Sequence, residues 1–332
     1  RPALGLPSGS VGGWVELGRS TGTLPDISSI PDKRYYMLLN NGRSLTSGSN
    51  SSFRFNSDTG TNYTFRDSRN GAADYTETSS ARTLDYIGTG SENELFGVSY
   101  ISNLAAKEKL LVSSSVVQKT AGAGTAPSRD EVVSKWSNTS AAINRITATS
   151  TAGAASEYVI LGFDPGDTHT TNFWEELASV ELGTTANNID SGTISAKKYL
   201  WVQCFIESSG GATNASVQFN GDTANNYSNR LSINGGADST DTSSGNIGCF
   251  STGSADENGF INFFAINNSA NEKLCVGSNV SVSTTGAGSA PDRREGVGKW
   301  ANTSAQITSI NISEATAGTY GAKTFLKVWG SD

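Results

Sequence analysis

The chain has 332 residues, a net charge of −7 and only 17% charged residues, and it lacks the clustered Lys and Arg that nucleic acid or an anionic membrane demands. Thirty-seven glycines beside one methionine and one histidine, amid abundant Ser, Thr and Asn, describe many short strands joined by turns rather than helices. No apolar run approaches the roughly 18 residues of a membrane span, and no signal-peptide pattern is read at the start.

In chain order, residues 1–13 (RPALGLPSGSVGG) carry two prolines and four glycines without a period and read as an N-terminal arm. Such an arm docks on a neighbouring subunit or stays a loose terminus. The remainder reads as two copies of one domain, residues 14–163 and 174–332, joined by a linker at 164–173. Two domains of about 150 residues are each large enough to fold without a metal or disulfide.

The duplication is plainest where GAGTAPSRDEVVSKWSNTSAAI (Gly122–Ile143) returns 164 residues later as GAGSAPDRREGVGKWANTSAQI (Gly286–Ile307). Earlier, Trp14–Gly18 is answered by Val180–Gly183 after a one-residue slip. An apolar run entered by Lys33 or Lys197 reads as a central strand buried on both faces. Phe55–Tyr63 and Phe219–Tyr227 share N-x-D-T-x-x-N, which is turn chemistry: Asn and Asp bond the backbone two residues on. Phe55 and Tyr63 are expected to carry the chain back into the sheet.

Asn70-Gly71 and Asn234-Gly235 are hairpin signals. Ser80–Asn93 matches its counterpart poorly, and there the copies are expected to differ. Apolar strands follow at Leu95–Leu104 and Phe260–Ile266, then at Glu108–Val112 and Glu272–Val276. In the repeated motif Val132, Ser134 and Trp136 share one strand face, and Gly296, Gly298 and Trp300 repeat it. The glycines leave room beside the indole, so another segment is expected to cover each tryptophan. Ile143 and Ile146, three apart like Ile307 and Ile310, break alternation and suggest a β-bulge. Eight to ten strands per copy, with turns every 8–12 residues, predict an all-β protein of two tandem homologous antiparallel β-sandwich (jelly-roll-like) domains.

Chemistry is sparse. The single histidine, His169, falls in the linker, so a histidine-based triad and a zinc site both lack ligands. Asp58, Asp74, Glu108 and Glu131 recur in the second copy as a glycosidase pair would need. Arg66, Lys109, Arg129 and Lys135 recur too, and the preferred reading is that the carboxylates close turns and pair with these cations. Catalytic residues are therefore none and cofactors none.

Calcium is the metal that best fits the oxygen donors Asn56, Asp58, Asn62, Asn220, Asp222 and Asn226. One carboxylate per loop favours a hydrogen-bonded turn instead. Trp136 and Trp300 offer either sugar-stacking platforms or core, with core preferred. Cys204, Cys249 and Cys275 have no counterparts in the first copy and read as buried or free thiols, with a Cys204–Cys275 bridge the alternative.

The motifs Trp14–Gly18, Arg54–Tyr63, Asn70–Asp74, Ala106–Leu110 and Gly122–Ser140 together resemble a group of uncharacterised structural (virion) proteins of tailed bacteriophages, especially marine ones. The resemblance spans most of both copies and brings no ligand residues to transfer. It implies a non-enzymatic protein of the particle exterior, in capsid decoration or a tail fibre or spike, with other virion proteins as partners. A carbohydrate-binding sandwich and, behind it, a double-jelly-roll capsid protein are the alternatives, and a host-surface glycan is a candidate partner. Two like domains per chain also predict a homo-oligomer, with three chains making six similar units.

Overall fold

The computed structural model describes residues 13–45, 50–86, 94–150, 153–165, 167, 171–209, 214–248, 258–282, 286–314 and 318–332. The chain divides into two compact units. The first gathers the chain up to Arg69 with Ala73–Ser115 and Asp130–Glu175; the second gathers Asn70–Ala72, Val116–Arg129 and Glu176–Asp332. Two pieces of the first sequence copy thus belong to the second unit.

The first copy supplies β1 (Val15–Thr21), β2 (Asp26–Ser28), β3 (Tyr35–Arg43), β4 (Ser51–Phe55), β5 (Tyr63–Arg69) and β6 (Tyr75–Ser80). After them come β7 (Thr83–Tyr86), β8 (Glu94–Ser102), β9 (Lys109–Val117), β10 (Ser128–Trp136), β11 (Arg145–Ala148) and β12 (Glu157–Phe163). They form an eight-stranded sheet, β1-β12-β3-β8-β9-β10-β5-β6, and a four-stranded sheet, β2-β11-β4-β7.

The second copy supplies β13 (Glu175–Glu181), β14 (Asn188–Asp190), β15 (Tyr199–Ile206), β16 (Ala215–Phe219), β17 (Tyr227–Ile233) and β18 (Ser239–Ser244). It closes with β19 (Gly259–Ile266), β20 (Lys273–Ser281), β21 (Asp292–Trp300), β22 (Ile310–Glu314) and β23 (Phe325–Ser331). The large sheet, β13-β23-β15-β19-β20-β21-β17-β18, repeats the first strand for strand, and the small one is β14-β22-β16. Two tandem antiparallel β-sandwiches of jelly-roll-like build result. Each core lies between a large and a small sheet, with Tyr36, Leu38, Phe53, Phe55 and Ile146 in one and Leu200, Val202, Val217, Phe219 and Ile310 in the other.

The central-strand expectation is met in full by β3, which is buried from Tyr36 to Gly42 between β12 and β8; its counterpart β15 is central too, between β23 and β19, but it alternates, with Trp201 and Gln203 half-buried and Phe205 exposed. The Asn70-Gly71 hairpin joins β5 to β6, with φ of 51° and 70° at its two turn residues.

Three expectations need correction. Among the described residues there are twelve and eleven strands, because three- and four-residue strands such as β2, β7 and β14 carry too little pattern to read. The N-x-D-T-x-x-N turn does not return the chain to its own sheet: β4 lies in the small sheet and β5 in the large one. No bulge separates Ile143 from Ile146, since β11 begins only at Arg145. The Asn56 side chain instead accepts from the backbone N–H of Asn144 and Arg145 and holds Ile143 outside the ladder.

The small residues beside each tryptophan are covered as expected, but by different chemistry. In the first unit the hydroxyls of Ser134 and Thr83 bond each other. At the equivalent positions of the second, a Cβ on Gly298 would stand 2.7 Å from Cγ2 of Ile247. Ser plus Thr has been exchanged for Gly plus Ile, a pairwise change that conserves volume. Gly298→Ser is expected to destabilise the second unit by about 1–3 kcal/mol in urea unfolding. Adding Ile247→Thr, which recreates the pair of the first unit, recovers much of that loss.

Candidate functional site

The residues nominated from sequence converge on one arrangement, built twice. Trp136 and Trp300 are both about 1% exposed, so neither is a sugar platform. The Trp136 indole donates to the Asp58 carboxylate at 2.7 Å, and Trp300 to Asp222 at 2.8 Å. Asp58 also accepts from the Gly60 backbone N–H at 2.8 Å and from Asn62 Nδ2 at 2.9 Å, and Asp222 does the same with Ala224 and Asn226. Burial by itself raises the Asp58 carboxyl. The hydrogen bonds from Trp136, Asn62 and Gly60, with Arg54 nearby, win and hold it below the ordinary carboxylate value.

The calcium candidates do not fit a cation. Their one carboxylate per loop is filled by N–H donors, and the Asn56 and Asn220 amides are spent on the backbone at residues 142–145 and 306–309. Among the described residues no group of three His, Cys, Asp or Glu gathers that could hold a metal.

The recurring ions separate into roles that spacing did not reveal. Arg66 pairs with Asp74 at 3.0 Å and Lys135 with Glu108 at 3.2 Å, both at the surface. Arg129 pairs instead with Asp238 at 2.7 Å, inside the second unit. Lys109 corrects the expectation of a carboxylate partner. It is buried, donates to the carbonyls of Lys107 and Asn138, and lies 5.8 Å from the Trp136 ring centre. Lys273 repeats this with Asn271, Asn302 and Trp300.

Cys204 and Cys275 are buried and free, and burial pushes both thiols well up. His169, Cys249 and residues 1–12 of the arm lie outside the described residues.

One surface feature was not foreseen. Antiparallel register places Phe163 beside Tyr35, and Gly162 beside both Tyr36 and Val15, so aromatic rings from three strand ends meet at one rim of the large sheet. Trp14 lies 6.0 Å from Phe163 and 6.3 Å from Tyr100, and Tyr35 stacks on Phe163 at 6.5 Å. With Leu110 and Val112 they line a groove of about 450 Å³. Desolvation of its hydroxyl raises Tyr100 to about 12, although the side chain as a whole is 38% exposed. At the matching positions the second unit has Tyr199, Phe264, Leu274 and Val276, all buried. The sequence signal was faint: Trp14 falls where the repeat slips by one residue.

Fold and site together define a protein of two tandem antiparallel β-sandwiches with a buried indole–carboxylate arrangement in each. No protein-family model matches the chain, and neither does any curated protein. Among solved structures, it aligns with domains LG4-5 of the mouse laminin alpha1 chain at 8% identity, over 99% of this chain and 93% of that one, with a TM-score of 0.19. Neisserial surface protein A aligns at 7% identity over 84% of this chain and 96% of its own, TM-score 0.12. OccAB3 of Acinetobacter baumannii aligns at 7% identity over 90% and 98%, TM-score 0.13. Scores this low carry no inference about fold or function.

Burial lowers the Lys273 ammonium from its ordinary 10.5 to about 8 against the opposing pull of Glu272. Between those values the unfolded chain holds a proton that the folded chain has released, so this group's contribution to stability rises with pH. The stability of the wild type relative to Lys273→Met is expected to improve from pH 8 towards pH 10, followed by chemical denaturation at stepped pH. A flat difference would show that the lysine titrates normally.

Proposed function

We propose that this chain is a non-enzymatic structural building block that acts through its surfaces. The carrying observation is the outer face of the first unit's large sheet, where Tyr35, Tyr100, Leu110, Val112 and Val133 are all exposed. A contiguous apolar surface of this kind marks an interaction site. Of the recurring carboxylates, Asp58 is committed to a turn and an indole, and Asp74 and Glu108 to surface ion pairs.

The finer reading is a component of the exterior of a bacteriophage particle, in capsid decoration or a tail fibre or spike. Its support is the motif set from Trp14 to Ser140, together with an acidic, turn-rich surface. Mass spectrometry of purified particles is expected to find its peptides, and brief protease treatment of intact particles to remove them. Their absence from the particle would end this reading.

Carbohydrate binding is the second reading, and the aromatic groove favours it. Sugar rings stack their C–H faces on aromatic planes, and a 450 Å³ groove walled by Trp14, Tyr35, Tyr100 and Phe163 has room for a sugar or two. Trp14→Ala and Tyr100→Ala are each expected to weaken binding on a glycan array at least about tenfold, or about 1.4 kcal/mol, because each removes an aromatic plane for a sugar ring to stack on. Silence of the wild type across the array would leave the groove to another partner.

A further inference from the structure

The segment Val116–Arg129, which holds the opening half of the repeated motif, is built into the second unit. It is held mainly through its own backbone. Lys299 donates to the carbonyls of Gln118 and Thr120, the Ser243 N–H to Ala123, the Ser228 hydroxyl to Thr125 and Arg230 to Pro127. Two charged anchors complete the seat. Glu272 accepts from the Gly122 N–H and the Gln118 amide, and Asp238 accepts from Arg129.

Every part of this arrangement exists a second time without being used in the same way. The seat residues Ser228, Arg230, Asp238, Glu272 and Lys299 recur in the first unit as Thr64, Arg66, Asp74, Glu108 and Lys135. The second copy of the segment, Gly286–Arg293, keeps Gly-Ala-Gly, Ala-Pro and the arginine. Exposure separates the used set from the spare one. The Glu272, Lys299 and Asp238 side chains are 4%, 0% and 2% exposed, against 41%, 41% and 48% for Glu108, Lys135 and Asp74. Arg129 is 4% exposed and Arg293 61%, and Gly286–Pro291 is exposed throughout.

Apolar neighbours follow the same rule: Leu110, Val112 and Val133 are exposed, and their counterparts Leu274, Val276 and Val297 are buried. In the first unit the set is kept as two half-exposed ion pairs, Arg66 with Asp74 and Lys135 with Glu108.

We propose that Gly286–Arg293 of one chain docks on the Arg66, Asp74 and Glu108 face of a second copy, repeating in trans the seat of Gly122–Arg129. The contact deepens the building-block reading given above, but it rests on an independent observation, the seat within the second unit. It joins two different surfaces, so it is heterologous and propagates head to tail until it closes. Because the spare segment binds through backbone carbonyls, its Thr125-to-Ser289 and Ser128-to-Asp292 differences leave the acceptors intact. Leu110 and Val112 also line the aromatic groove, so a glycan and a second chain compete for that edge.

Sedimentation velocity of the full chain over a concentration series tests the contact. The wild type is expected to assemble, with three chains the species expected from two like units per chain. Arg293→Asp and Asp74→Arg are each expected to weaken assembly at least about tenfold, as reversal of a close interfacial charge pair does, and the double variant to restore it. Both positions are exposed, and unchanged circular dichroism and melting would confirm intact folding. Arg129→Asp, at the buried counterpart, should instead lower the melting temperature of the single chain. A wild type that stays monomeric at every concentration overturns the proposal. So does an assembly indifferent to both single reversals, or a groove that binds glycan in a chain that never assembles. Absence from phage particles would bear only on the virion reading.

Discussion

The hydrogen bond from a buried indole to a half-buried carboxylate, Trp136 to Asp58 and Trp300 to Asp222, is the constraint on which each sandwich depends. The tryptophan ends the strand that follows the repeated bend, and the aspartate sits in the turn that carries the chain from the small sheet to the large one. One bond therefore fixes how the two layers meet. Around it, Tyr63 stacks on Trp136 and Phe55 packs against it, with near-identical geometry at Tyr227, Phe219 and Trp300. A buried lysine closes the far side by donating to backbone carbonyls. A hydrogen bond to a charged acceptor contributes about 1.5–3 kcal/mol, and losing either partner also strands a polar group in the core.

With this arrangement fixed, the two copies are free to differ around it, and they do so in compensated pairs. Thr83 with Ser134 becomes Ile247 with Gly298, and the groove of the first unit becomes a buried apolar set in the second. The recurring ion pairs follow another logic. They are retained in both copies although only one set is buried.

The fold was largely legible. Turn residues at fixed offsets, alternation along β10 and the uninterrupted apolar run of β3 report backbone geometry directly, because each follows from local sterics and side-chain period. The site was much less so. The aromatic rim joins residues from strand ends nearly 150 positions apart in sequence, Trp14 and Phe163, and only the register of β12 against β1 and β3 brings them together. Lys109 looked like a partner for a carboxylate because charge is visible in sequence, whereas the carbonyls that hold it are not. The crossing of Val116–Arg129 into the second unit carries no local mark at all, since its twin at Gly286 has the same residues in the open.

By itself the sequence determined the duplication, the all-β class and the turn chemistry. Repetition, hydrophobic period and the conformational preferences of Gly, Asn and Asp are properties of the chain read in order. Tertiary structure decided which of two matching sets of side chains is buried, which carboxylate each cation meets, and where exposed aromatic surface gathers. Those outcomes depend on distances between residues far apart in sequence, and on neighbours that one copy has and the other lacks.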